Sequence, residues 1–150
     1  MKKTILRIVH WVSRLGLAGI FLYSGYVKIE SPLQFAADVA GYKLVPAGLV
    51  YPIAQYFPWL EVSLGLLLLI GWRVRYWGIA ASGLILFFIT IITITYARGI
   101  DADCGCFGSG EKITWLTIVR DSLFLLPALF LSAEPRIRRF WGIDAQSCVV

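Results

Sequence analysis

Two cysteines separated by one glycine stand in the run Asp101-Ala102-Asp103-Cys104-Gly105-Cys106-Phe107-Gly108. Thiols this close can form a local disulfide, and the intervening glycine removes the Cβ penalty that a small ring would impose on its turn. So small a ring is strained, and strained, exposed bridges are labile and oxidising rather than structural. The chemistry this spacing points to is thiol–disulfide exchange at Cys104 and Cys106. Two other readings stand beside it. As a staple, the bridge closes almost no loop and stabilises little by chain entropy. As a metal site, the pair supplies two soft ligands where zinc takes four. Asp101 and Asp103 add only oxygens and the single histidine, His10, lies far away in sequence, so no metal site is expected. The acids beside Cys104 disfavour its thiolate unless Arg98 or Lys112 offsets them.

A second group of candidates is charged residues inside apolar stretches: Arg14, Glu61, Arg120 and Asp121. Their charges sum to zero. Ionisable groups in a membrane are costly and pair, face a cavity, or both. By depth, Arg120 is expected to pair with Glu61 across two helices, while Arg14 snorkels towards the nearer surface. The set could hold a quinone headgroup or relay protons; it could equally do no more than fix helix packing.

Composition says what must position these groups. Residues of the AVILMFWYC set make up 59%, before 14 glycines are added. An average soluble chain reaches about 45–50% with glycine included. Charged residues are 15%, against roughly 25% in that average. Disorder is excluded, since it needs low hydrophobicity and high net charge. Three cysteines in 150 residues exclude a disulfide-stapled secreted domain. A soluble globule of this length could not hide so much apolar surface.

Charges cut the chain into four apolar windows of the length a membrane helix needs, about 20 residues. The spans fall near 8–28, 50–71, 76–97 and 114–132, leaving a C-terminal tail at 133–150 of a single membrane domain, 1–150. Leu64–Ile70 and Gly83–Thr95 do not alternate, which disfavours barrel strands. Met1-Lys2-Lys3 makes a basic start like that of a signal peptide, but Arg14 and His10 interrupt its apolar core and no A-x-A site follows. An uncleaved first helix is expected. Glycines at 16, 19, 25, 65, 78 and 83 suggest close helix approach.

Eight basic residues (Lys2, Lys3, Arg7, Arg73, Arg75, Arg136, Arg138, Arg139) lie on one side of the spans. Lys28, Lys43, Arg98 and Lys112 lie on the other, offset by five acids. The positive-inside rule places both termini in the cytoplasm. The net charge of +5 is then a topology signal facing anionic lipid, not a nucleic-acid footprint.

The first outward loop begins Ser31-Pro32, a helix start with Ser as N-cap and Pro at the first position. Leu33, Phe35, Ala36, Val39 and Ala40 then recur at helical spacing, giving a short amphipathic helix expected at the membrane surface and ended near Pro46. The second outward loop, from Arg98 to Ile113, carries the cysteine pair on the side where disulfides persist. Cys148 is expected to be a free thiol in the cytoplasmic tail.

Taken in order, these residues resemble the DoxX-like membrane proteins, most closely their MauE-type redox-associated branch. The resemblance runs through Arg14, Phe21, Gly25 and Lys28, then Tyr42 and Pro46, then Glu61, Gly65 and Gly71, then Asp103-Cys104-Gly105-Cys106-Phe107-Gly108 with Arg120. It implies a four-helix membrane bundle tied to thiol or sulfur redox chemistry outside the cytoplasm. MauE-type proteins are implicated in maturing methylamine dehydrogenase beside a thioredoxin-like partner, and some DoxX relatives in thiosulfate oxidation that delivers electrons to quinone. Four-helix disulfide generators of the DsbB and vitamin K epoxide reductase types use two cysteine pairs, whereas this chain offers one outward pair.

The expectation is thus an all-α, four-transmembrane-helix bundle of the bacterial inner membrane with a short amphipathic outer helix between spans one and two. Cys104 and Cys106 form a redox-active disulfide that passes electrons between a periplasmic thioredoxin-like dithiol partner and a membrane quinone. Arg120, Asp121, Glu61 and Arg14 serve the cofactor. A non-catalytic assembly scaffold, and a small-solute or metal-ion carrier, are the alternatives.

Overall fold

The computed structural model describes residues 2–105 and 112–140, with side chains for 4–105 and 112–133. Among the described residues five helices follow one another: α1 (Lys2–Glu30), α2 (Pro32–Gly41), α3 (Ala47–Ile70), α4 (Val74–Ala97) and α5 (Trp115–Phe140). Four of them are long and apolar enough to cross a membrane, over Thr4–Glu30, Ala47–Ile70, Val74–Ala97 and Trp115–Ala133. The all-α four-span bundle expected from the hydropathy windows is what the chain forms.

The spans pack in sequence around a ring. α1 lies against α3, α3 against α4, α4 against α5, and α5 closes the ring on α1. The centre is apolar: Leu17, Ala18 and Phe21 of α1 meet Leu64 and Leu68 of α3, Ala81 and Ile85 of α4, and Ala128 and Leu131 of α5. Large hydrophobics such as Ile70, Tyr76 and Leu126 stay exposed on the outside, as a lipid-facing surface requires.

Glycines set how closely α1 and α3 approach. A Cβ on Gly25 would lie 2.6 Å from Val62 Cγ2 and 2.9 Å from the Pro58 carbonyl oxygen; one on Gly65 would lie 2.9 Å from Leu22 Cγ. Gly78 gives α4 a similar approach to Leu131 of α5. Gly16, Gly19 and Gly83, expected to act in the same way, face open space instead. Three-residue and four-residue spacings cover a whole helix face, and only the part of that face turned to a neighbour uses its glycines.

Boundaries shift modestly from the hydropathy windows. The last helix runs to Phe140, past the window's end at 132, and carries Pro135 within it. Thus the expected tail at 133–150 begins as helix. Gly71 ends α3 in a left-handed conformation, φ 82°, the usual glycine helix stop.

Helix α2 starts with Pro32 at its first turn, but Ser31 makes no side-chain capping bond. Two of its apolar residues turn inwards: Phe35 and Val39 are buried against Ala54, with Ile53 and Phe57 of α3 packed around them. The amphipathic helix therefore docks on the bundle, leaving Leu33 exposed. Beyond α4, Asp103 and Lys112 form an antiparallel bridge, and Ile113 N–H donates to the Ala102 carbonyl at 3.0 Å. This closes the neck of the loop that carries Cys104.

Candidate functional site

The close approach at Gly25 and Gly65 puts Ser24 and Lys28 of α1 opposite Glu61 of α3. Lys28 Nζ donates to both Glu61 carboxylate oxygens, at 2.7 and 2.8 Å, and to Ser24 Oγ at 2.9 Å. All three ammonium donors therefore have an acceptor. Ser24 Oγ also reaches Glu61 Oε1 and Oε2 at 3.3 and 3.4 Å. Lys28 and Glu61 are 3% and 2% exposed. The rings of Phe35, Phe57 and Phe88 surround the ammonium, with centroids 5.0, 5.7 and 5.0 Å from Nζ. A desolvated cation gains about 2 kcal/mol or more over such a face, which helps offset the cost of burying the pair.

This corrects the pairing expected from depth along the helices. Glu61 is matched by Lys28, a residue counted in sequence as an outward loop charge, and not by Arg120. The signal for it was present. Ser24 and Lys28 are four residues apart on one helical face, and Lys28 falls inside the last turn of α1.

Arg120 instead serves α5 and the cysteine loop. Its Nε donates to Asp121 Oδ1 at 3.2 Å, and its Nη2 lies 3.8 Å from Cys104 Sγ. Cys104 is fully buried, packed with Ile92 and flanked by Ile113 and Ile118. The cation that offsets the acids near this thiol is thus Arg120, whereas Arg98 and Lys112 are both exposed. Cys106 lies outside the described residues, and with it the expected Cys104–Cys106 bridge; so does Cys148.

The loop is clasped by α2. Tyr42 Oη donates to the Cys104 carbonyl at 2.6 Å. Gly105 has φ 65°, and a Cβ there would lie 3.0 Å from Tyr42 Oη and 3.2 Å from Asp38 Oδ2. Both the positive φ and the close neighbours call for glycine. Asp38 is buried, takes a hydrogen bond from Gln34 Nε2 at 3.2 Å, and has its carboxyl pushed above the ordinary 3.8, first by burial and further by the nearby Asp103. Sequence reasoning did not place Tyr42 and Asp38 against the backbone of Cys104 and Gly105, because nothing local couples positions more than 60 residues apart.

Between these two polar groups lies a half-open cleft. It holds about 430 Å³ of empty space including its mouth, of which about 50 Å³ admits the centres of water-sized molecules. Ser24, Glu61 and Asp121 face it, among Ile20, Phe21, Ile85, Phe88 and Phe124. Asp121 is 5% exposed. Of the four charged residues singled out in sequence, the cleft brings Glu61 and Asp121 together, and Arg120 stands behind Asp121. Arg14 belongs elsewhere. It hydrogen-bonds the Leu68 and Leu69 carbonyls through Nε and Nη2, both at 2.7 Å, capping the far end of α3 beneath the Trp11 ring. A cation at a helix C-terminus meets the last unpaired carbonyls and the negative end of the dipole.

The family model described as "Methylamine utilisation protein MauE" matches residues 6–133, covering all four spans and the cysteine loop. The chain belongs to the MauE family. Curated MauE proteins agree with this. One from Methylorubrum extorquens is 33% identical over 108 residues, 70% of this chain and 58% of that protein. One from Paracoccus denitrificans is 27% identical over 128 residues, 83% of this chain and 69% of that protein. A third, from Methylophilus methylotrophus, is 31% identical over 112 residues, 72% of this chain and 59% of its own length. The chain thus spans less than two thirds of two of these MauE proteins. No solved structure matches it. The buried Lys28–Glu61 pair, the Arg120 contacts and the cleft all lie within the part that the MauE model covers.

Proposed function

We infer that this MauE protein is a membrane thiol–disulfide redox protein, passing electrons between a periplasmic dithiol partner and a membrane quinone. The observation that carries this reading is Arg120, which stands between Cys104 Sγ and Asp121 at the wall of the cleft. It gives a thiol a cation on one side and a route to a carboxylate-lined cleft on the other.

In this reading Cys104 and Cys106 are bonded in the oxidised state. Cys104 is fully buried, so attack by the partner's thiolate is assigned to Cys106 and Cys104 is the leaving group. Exchange is faster when the leaving thiolate is stabilised, which is the role given to Arg120. The partner's second thiol then resolves the mixed disulfide and leaves the partner oxidised. The Cys104–Cys106 dithiol, now holding two electrons and two protons, returns both to a quinone, which becomes hydroquinone. With one cysteine pair, the partner delivers electrons to it directly. The basic-residue bias assigns both termini to the cytoplasm and the cysteine loop to the periplasm. The name shared by the relatives supports a place in methylamine utilisation; the partner in this reading is a thioredoxin-like or other dithiol protein.

Replacing Cys104 or Cys106 by Ser is expected to abolish oxidation of a thioredoxin-type dithiol substrate by the purified protein. Unchanged oxidation by both variants would refute the reading. A scaffold role is favoured by one observation, the tight clasp of Tyr42 on the Cys104 carbonyl, which shapes the loop whatever its redox state. Full partner maturation in cells carrying the double Cys→Ser variant would select that role.

A further inference from the structure

A line of polar side chains runs along α2. Gln34, Asp38 and Tyr42 follow one another at a spacing of four, which places them on one helical face. Gln34 is exposed and donates from Nε2 to Asp38 Oδ1 at 3.2 Å. Tyr42 Oη donates to the Cys104 carbonyl at 2.6 Å. Asp38 lies between them, 6% exposed, with Oδ2 3.2 Å from the point where a Cβ on Gly105 would stand. One further C–C bond and one peptide step put this carboxyl within about 9 Å of the Cys104 Cα. A buried carboxyl is thus set against the residue that follows Cys104, one hydrogen bond from an exposed amide.

The charged groups that face Asp38 are Asp103 of the loop and Lys28 of α1. Lys28 directs its three donors to Glu61 of α3 and to Ser24. Arg120 of α5 bonds Asp121 and stands at the Cys104 sulfur. Asp103 contributes charge of the same sign as an ionised Asp38. Burial first, and Asp103 after it, favour the protonated carboxyl, so Asp38 ionises above the ordinary 3.8. Once it does, its charge acts on the loop, because buried charges at this range are weakly screened.

We propose that Asp38 controls thiol–disulfide exchange in this loop through its charge: exchange runs while the carboxyl holds its proton and slows when the proton leaves. This rests on the redox function above and adds the group that makes it pH-dependent. The partner's thiolate bonds to the Cys106 sulfur as the Cys104–Cys106 bond breaks, and the electron pair of that bond leaves on the Cys104 sulfur. Negative charge thus appears in the loop beside Asp38. A protonated Asp38 does not oppose it; an ionised one is a like charge and raises the barrier. The partner's second thiolate then attacks the partner's own sulfur in the mixed disulfide and releases Cys106. The two released sulfurs take up two protons, matching the two that the partner's thiols give up.

The test is reduction of the disulfide form of the purified full chain by dithiothreitol in detergent, without oxygen, from about pH 4 to about pH 8. Thiols at Cys104 and Cys106 are trapped by alkylation and counted by mass spectrometry, and each rate is divided by the thiolate fraction of dithiothreitol. The wild-type rate is expected to fall about tenfold as pH rises through the Asp38 titration, the order expected of one unit charge at this range inside a protein. Asp38→Asn keeps the shape of the side chain without its charge and is expected to hold the fast rate across the whole range. A flat wild-type profile overturns the proposal, even where the variant fails to fold, and leaves the thiol–disulfide function standing. A fall that persists unchanged in Asp38→Asn assigns the control to another group and overturns the proposal as well. No reduction of either protein at any pH overturns the thiol–disulfide function and the proposal together.

Discussion

Arg120 reaches Cys104 and Asp121 with different nitrogens of one guanidinium, Nη2 at 3.8 Å from Sγ and Nε at 3.2 Å from Oδ1. The planar fork of arginine allows this; the point charge of lysine does not allow it with the same geometry. One side chain thereby connects a loop that carries a thiol to a helix that lines a cleft.

Removing that connection should slow thiol exchange. A hydrogen bond to a charged group is worth about 1.5–3 kcal/mol, and 1.36 kcal/mol is tenfold in rate. Arg120→Ala is therefore expected to lower the rate of exchange with a small dithiol roughly tenfold or more. Arg120→Lys should recover part of the loss. Stopped-flow rates for the two variants check this, and equal loss in both would argue for a packing role alone.

The Lys28–Glu61 pair makes a different prediction, about stability. Breaking a buried ion pair by removing one partner costs about 3–5 kcal/mol, because the other charge is left uncompensated. Lys28→Met and Glu61→Leu are each expected to destabilise by that order. The double variant should recover most of the loss, since two apolar side chains leave no buried charge. Equilibrium unfolding in mixed micelles measures the cycle, and additive losses would contradict the pairing.

Asp38 gives a pH dependence whose sign follows from burial. Its carboxyl titrates above the ordinary 3.8 in the folded chain, so the folded state binds the proton more tightly than the unfolded state does. Its stabilising contribution is full below pH 3.8 and is lost as pH rises through the raised folded value. The groups facing it are Gln34, Asp103 and Lys28. Asp38→Asn should remove this component, leaving a flatter profile and higher stability at neutral pH than the wild type. Melting temperature against pH for the two proteins checks it.

Glycine positions separate contact from open space. Gly25→Ala would force α1 and α3 apart at Val62 and Pro58 and should cost about 1–3 kcal/mol, the usual range for overpacking. Gly19→Ala meets nothing within 4 Å and should stay within about 0.5 kcal/mol of wild type. Thermal unfolding of both variants in detergent distinguishes them.

Much of the fold was legible in the chain because membrane spans declare themselves by length and hydropathy. The charge-free window before Arg98 became α4 with almost no adjustment. Local hydrogen bonding was legible too: Thr90 and Thr95 bond back to the Leu86 and Ile91 carbonyls, as threonines in apolar helices tend to do. Which charges pair was not legible, because depth along a helix fixes height but not rotation. Glu61 and Arg120 could be set at similar depth, yet the face of α3 that carries Glu61 turns to α1 and Lys28. Likewise the α2 pattern showed an apolar face, but not that Phe35 and Val39 would meet Ala54 rather than lipid. The glycine between the two cysteines was read as relief for a small ring. The structure adds a second cause, the Tyr42 hydroxyl and the Asp38 carboxylate packed against Gly105.

The most direct test of the account reduces the purified protein, removes the reductant, and adds decylubiquinone without oxygen. Thiols at Cys104 and Cys106 are then counted by alkylation and mass spectrometry while quinol formation is followed optically. The account predicts loss of both thiols together with one quinol formed for each pair. Thiols that persist, with no quinol formed, would contradict it.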